Sequence, residues 1–228
     1  MLNTVILRFQ DVRRAFRVIG DCRDVGDDPD QWQELAMQGI CRIVGAAAAT
    51  GGEGRWQRPL HPLAAVSSYA VGLDPAAKAA LFAYMHEFGV NADPIFQGLQ
   101  RRLERLVTRR RGELVSDREW YASKAFNDYH RRAGIDHQLT SIYQRRRSDA
   151  VSCLTLPRAL GDRDFSDYEC ALAAFFHYEL GRLIGRALAS GLDPHSDSLS
   201  PRLRETLTYL LELSLIHISE PTRLRRIS

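Results

Sequence analysis

The chain has 228 residues and 31 lysines plus arginines against 28 acids, a formal charge of +3 at pH 7. Hydrophobic residues at 45% and charged residues at 26% exclude a disordered chain, and no apolar run is long enough for a membrane span. The charge is too small to attract nucleic acid in bulk, and Arg8, Asp11, Arg13 and Arg14 break the apolar start Met1–Leu7 before a secretory signal could form. One cytoplasmic domain with a small appendage is expected, with no membrane partner. Lys78 and Lys124 are the only lysines, so the other basic residues are arginines. GC-rich coding and phosphate recognition by guanidinium forks both account for that bias. Cys22, Cys41, Cys153 and Cys170 form no CxxC pair and read as small buried hydrophobes of a reducing compartment.

In chain order, Val12, Phe16 and Ile19 make the apolar stripe of a first helix. Asp28-Pro29 opens a second, with Asp28 as cap and Trp32, Leu35, Ala36, Ile40 and Ile43 as its buried face. The same start recurs at Asp74-Pro75, before Leu81, Phe82, Met85 and Phe88. It recurs again at Asp93-Pro94, before Leu99, Leu103 and Leu106. Between them, Ala46–Thr50 and Leu63–Val71 read as a hairpin joined through a turn at Gly51-Gly52-Glu53-Gly54. Val107–Val115 is a further strand candidate. Ser116 with Glu119 forms a capping box for a helix that runs through Trp120 and Tyr121 to Gly134. His137–Gln144 and Ala150–Leu156 flank the polar turn Arg145–Asp149 as a second hairpin. Ser166 with Glu169 caps a long helix, Asp167–Ser190, and residues 192–198 read as a linker. The order predicts an α+β fold, helices covering an antiparallel sheet.

Chemical motifs are sparse. The glycine run lacks phosphate-loop spacing, and His86-Glu87 lacks a second histidine because Val90 stands in its place. Ser152 and Cys153 have no nucleophile elbow, while His177 and Glu179 point to different sides of their helix. No catalytic residue, metal ligand or cofactor is assigned, and no enzyme is expected. The arginine-rich stretch Arg101–Arg118 reads as a phosphate patch or as a solvated helix face with its exit loop. Tyr69, His137, Tyr143 and Cys153 are the candidates for lining a small-molecule pocket, because they fall on predicted strands.

From Trp120 to Ile184 the pattern resembles the second half of a GAF-type sensory domain. The resemblance rests on Phe126–Ile135, then the hairpin, then Leu156–Ser166 with its Pro157-Arg158 and Phe165-Ser166. The stretch Leu199-Ser200-Pro201-Arg202-Leu203-Arg204-Glu205-Thr206-Leu207-Thr208-Tyr209-Leu210-Leu211-Glu212 is similar to the first helix of a LuxR-type helix-turn-helix. Leu199, Leu203, Leu207 and Leu210 would form its inward face, and the resemblance implies that bases are read by a later helix. From Leu213 to Arg223 the string resembles instead the translation of a transposon-type sequencing adapter. Residues 213–228 are therefore expected to be an artefactual tail.

The resemblances imply a bacterial transcriptional regulator with a GAF-like sensory or dimerisation domain over residues 1–191. The linker and the stump of a DNA-binding module over 199–212 would follow. DNA is then a partner of the full-length product only, a small-molecule ligand and a homodimer are further expected partners, and the Asp167–Ser190 helix would relay the signal. A stand-alone ligand-binding module and an enzyme on the same scaffold are the alternatives.

Overall fold

A computed structural model describes residues 5–193 together with residues 203, 205–207, 209 and 210. The fold is α+β: an antiparallel sheet lies between two helical layers. Strands β1 (Ala49–Arg55), β2 (Ala64–Ala65), β3 (Tyr69–Val71), β4 (Leu106–Arg110), β5 (Ile135–Gln144) and β6 (Ala150–Ala159) form it in the order β2-β1-β6-β5-β4, with β3 also paired to β1. Helices α1 (Phe9–Asp24), α2 (Pro29–Val44) and α6 (Asp167–Gly181) cover one face. The other carries α3 (Pro75–Ala83), α4 (Pro94–Gln100) and α5 (Asp117–Ala122) with π-helical turns at Tyr84–Phe88 and Ala125–His130. No helix among the described residues is long and apolar enough to cross a membrane.

Local chemistry sets the helix starts. The Asp28 carboxylate accepts from the backbone N–H groups of Asp30 and Gln31, Asp74 from Ala77 and Asp93 from Ile95, each one residue before a proline at the first helical position. Ser116–Glu119 and Ser166–Glu169 both close as reciprocal capping boxes. Strand alternation then divides the core in two. Leu139, Leu154 and Leu156 meet Ile19, Trp32, Ile40 and Phe176 of the first layer. Val107, Ile142 and Val151 meet Ile95, Leu99, Trp120 and Tyr129 of the second.

Several expected boundaries move, each for a tertiary reason. The Gly51–Gly54 run is strand rather than turn. β1 passes straight through it, registered against β6 from Thr50↔Thr155 to Arg55↔Ala150. A Cβ at Gly51 would stand 2.3 Å from the Cys153 carbonyl oxygen, and one at Gly52 2.1 Å from that of Ser67, so close backbone approach demands glycine. Leu63–Val71 splits into β2 and β3 because the Ser67 hydroxyl, not a backbone carbonyl, accepts from the Glu53 N–H at 3.0 Å. Leu106 opens β4 opposite Tyr143 instead of extending α4, Leu103 is exposed, and β4 stops at a 3-10 turn over Arg111–Glu113. Ser123 ends α5: it is extended, its hydroxyl donates to the Trp120 carbonyl, and it accepts from Phe126 N–H to start the next turn.

The long C-terminal helix also ends early, at Gly181 rather than Ser190. Gly181 lies against the Tyr143 ring, and four residues on Gly185 takes a left-handed φ of 77° that turns the chain back. The strap 182–193 then docks on the first layer. Ala189 N–H donates to the Gly26 carbonyl, the Trp32 indole donates to the Ala189 carbonyl at 2.9 Å, and the Ser190 hydroxyl donates to buried Glu53 at 2.7 Å. A relay through one continuous Asp167–Ser190 helix is thereby excluded.

Two buried polar groups hold the first layer. Burial pushes Glu169 up, but hydrogen bonds from Arg163 and Ser166 and the charge of Arg158 outweigh it and hold the carboxylate at about 2. His177, 1% exposed, spans β5 and β6 with Ser141 at 2.8 Å from Nδ1 and Ser152 at 3.1 Å from Nε2, and burial pulls it down to about 3.

Both folded-state values lie below the unfolded ones, so stability is lost as pH falls: from about 6.5 toward 3 for His177, and from about 4.5 toward 2 for Glu169. Glu169→Gln should cost about 2–3 kcal/mol in urea unfolding at pH 7, by breaking a buried ion pair, and nearly nothing below pH 2. His177→Gln should flatten the loss between pH 6.5 and 4.5. Gly181→Ala sets a Cβ 2.5 Å from Tyr143 Cδ1 and should destabilise by about 1–3 kcal/mol in the same assay.

Candidate functional site

The second layer is built from aromatic residues of short, interrupted helices. Because α3 gives way to a π turn, Tyr84 and Phe88 come side by side with ring centroids 5.9 Å apart. Tyr129 and His130, on the second π turn, meet them from across the layer: Tyr84 lies 5.9 Å from Tyr129 and 5.1 Å from His130, and Trp120 5.0 Å from His130. Trp56, at the end of β1, closes another side against Phe96 at 6.2 Å.

A polar constellation sits inside this apolar wall. Asp93 is fully buried. One oxygen caps α4 through Ile95 N–H at 2.6 Å, and the other accepts the Tyr84 hydroxyl at 2.8 Å, with His130 Nε2 at 3.6 Å. Burial and the neighbouring carboxylate push the Tyr84 phenol well above its ordinary value, so it stays a donor. Five side chains of the same layer hold buried N–H or ring nitrogen groups without a hydrogen-bond partner: Trp56 Nε1, Trp120 Nε1, both nitrogens of His130, Arg111 Nε, and Nε and Nη1 of Arg58. The first layer holds two such atoms among the described residues, on Gln33 and Arg158. Leaving such groups unmatched costs on the order of 1–3 kcal/mol each, so their concentration marks where acceptors are wanted. The arrangement can bind a molecule by an apolar body and a few carbonyl or anionic oxygens.

The four strand residues expected to line a pocket do not converge. Tyr69 and Tyr143 face the first layer: Tyr69 donates to Asp30 at 2.8 Å, and Tyr143, 1% exposed, packs beside Tyr178 and accepts from Arg105. Cys153 faces the second layer, its thiol pushed up to about 12 by burial against the opposing pull of Arg58. His137 sits at a register shift near the β5 start, 3.4 Å from Arg111 and 3.8 Å from Asp164. Cys22 and Cys170 are likewise pushed up to about 12 and Cys41 to about 11, so none offers a thiolate near neutral pH.

In the arginine-rich stretch, Arg109 pairs with Glu104 and Arg110 with Glu113 and Asp167. Arg111, 2% exposed, pairs with Asp117 and lies over Trp120 and Tyr121. These three are taken up internally. Leu203, Leu207 and Leu210 are helical and exposed at 53%, 42% and 56%, beside an Arg23–Glu205 ion pair of 2.7 Å; Leu199 and residues 213–228 lie outside the described residues.

The residues missed by sequence reasoning are Trp56, Arg58, Tyr84, Asp93, Trp120 and His130. Asp93 had been assigned a capping role, which it fills with one oxygen while the other serves the interior. The usable signal was the aromatic density between Trp56 and Tyr129, which includes two of the three tryptophans.

No model of a known protein family matches the chain, and no curated protein matches its sequence. Solved structures do. The LBD domain of VqsR from Pseudomonas aeruginosa matches over 75% of this chain and 92% of its own, at 16% identity and a TM-score of 0.47. SdiA from Escherichia coli matches over 81% of this chain and 76% of its own, at 12% identity and 0.42. CepR2 from Burkholderia cenocepacia, titled an N-acylhomoserine lactone dependent LuxR family transcription factor, matches over 77% and 92%, at 14% identity and 0.51. The chain has the α+β fold that CepR2 has.

Proposed function

We propose that this chain is the sensory part of a LuxR-type transcriptional regulator, binding a small amphipathic molecule between the sheet and its aromatic layer. The observation that carries the reading is the concentration of unpartnered buried donors on Trp56, Arg58, Arg111, Trp120 and His130 within one aromatic wall. The fold shared with CepR2, an N-acylhomoserine lactone dependent LuxR family transcription factor, supports it. In this reading the aromatic rings take an acyl or ring body, the Trp120 indole donates to a carbonyl, and Asp93, which already takes the Tyr84 proton, supplies an acceptor. The second layer opens more easily than the first because α3 and α4 are short and separated by π and 3-10 turns.

The GAF-like description of the body, residues 192–198 as linker and 199–212 as the first helix of a DNA-binding module belong to the same proposal. So do an artefactual tail over 213–228, DNA binding by the full-length product, a cytoplasmic location and a homodimer. Leu203, Leu207 and Leu210 recur at helical spacing, which fits the first helix of such a module.

N-Octanoyl-homoserine lactone and octanoate serve as probes in isothermal titration calorimetry and thermal melting. At least one should bind saturably and raise the melting temperature. Trp120→Phe keeps the ring and removes the indole N–H, and should weaken lactone binding about tenfold with little effect on the unliganded melt. Asp93→Asn should weaken it similarly. If neither probe binds, or Trp120→Phe leaves lactone binding unchanged, the reading fails.

A further inference from the structure

We infer that the end of this layer at Trp56 and Arg58 is an anion subsite, which selects a ligand carrying a carboxylate. The inference rests on the sensory reading above and adds the chemical class of the ligand. Trp56 is 1% exposed and lies in the aromatic core, yet its indole N–H has no partner. Two residues on, the Arg58 guanidinium lies over that ring, its central carbon 5.4 Å from the ring centroid.

Arg58 is only partly satisfied. Its Nη2 donates to the Glu104 backbone carbonyl at 3.0 Å and to the Gln144 side-chain oxygen at 3.1 Å, both uncharged acceptors. Its Nε and Nη1 are buried and unpartnered. The Glu104 carboxylate is instead 3.6 Å from Arg109. Burial pulls the Arg58 pKa down against weaker opposing pulls from Cys153 and Glu104. Among the described residues the half-buried Arg58 is held by neutral oxygens and makes no ion pair, and two of its nitrogens and the Trp56 indole N–H are buried without an acceptor. By contrast Arg111, which lies over Trp120 in this layer, has its carboxylate in Asp117.

Gln144 holds the subsite in place: its amide donates to the Ser148 carbonyl at 3.0 Å, which turns its oxygen toward Arg58. A carboxylate accepting from the indole and the guanidinium would supply the missing charge. Its apolar tail would then run along Phe96, which packs against Trp56, into the core that also holds Tyr84 and Tyr129. A single guanidinium matches a single negative charge.

The test compares octanoate with octanamide, which share a chain and differ in head-group charge, by calorimetry on the intact chain at pH 7.5. Octanoate should bind at least about tenfold more tightly. Arg58→Gln should abolish that preference while octanamide affinity changes little, and Arg58→Lys, which keeps the charge on a different donor, should retain part of it. Trp56→Phe should weaken octanoate severalfold. Melting curves of the unliganded variants identify any that fail to fold, in which case the octanoate-to-octanamide ratio of the wild type and of Trp56→Phe decides. Equal affinity for the two compounds, or a preference that survives Arg58→Gln, overturns the anion subsite and leaves the sensory reading standing. Absence of binding by both, with no binding of the lactone, removes both.

Discussion

The β5–β6 ladder is buried on both faces, and the rest of the architecture answers to that. Two ten-residue strands pair almost throughout, with Leu139, Ser141, Tyr143, Leu154 and Leu156 toward one layer and Ile142, Val151 and Cys153 toward the other. A sheet apolar on both sides needs a cover on each, so the chain wraps α1, α2 and α6 around one face and residues 75–130 around the other. The glycine-rich β1 is shaped by the same demand, since it lies against β6 on one side and accepts β2 and β3 closely on the other.

The two covers are built differently. In the first layer the polar groups are largely answered. His177 has a hydroxyl on each ring nitrogen, Glu169 has two arginines and its own cap, and Glu53 has the Ser190 hydroxyl and the Gly191 N–H. These networks pin α6 and the strap 182–193 to the sheet and resist rearrangement. The second layer consists of short helices joined by π and 3-10 turns, rich in rings and in donors without a hydrogen-bond partner among the described residues. Such a wall suits a molecule brought from outside better than a fixed core.

The strap and the aromatic layer meet on one strand. Buried Glu53, on β1, accepts from Ser190 and Gly191, while Trp56, three residues further along the same chain, faces the opposite layer. β1 therefore carries at its end the tryptophan of the aromatic layer and in its middle the carboxylate that holds the strap. Arg145, paired with Asp193 at 3.0 Å, clamps the same exit to the β5–β6 turn.

Much of the scaffold was legible in the residues. The Asp-Pro helix starts, the two Ser–Glu capping boxes and the 135–159 hairpin depend on interactions within a few residues, so sequence spacing alone was enough to locate them. Element ends were less legible: Gly181, Ser123 and the Gly51–Gly54 run owe their conformations to a ring or backbone brought close by distant segments. The candidate site was least legible. Tyr69, His137, Tyr143 and Cys153 share strand character but point to different sides, whereas Trp56, Asp93, Trp120 and His130 are far apart in the chain and meet only when the second layer closes. Local hydrogen bonding and periodicity determined which segments are helix and strand. Which side chains share an interior, and which donors are left there without partners, was decided only by long-range packing.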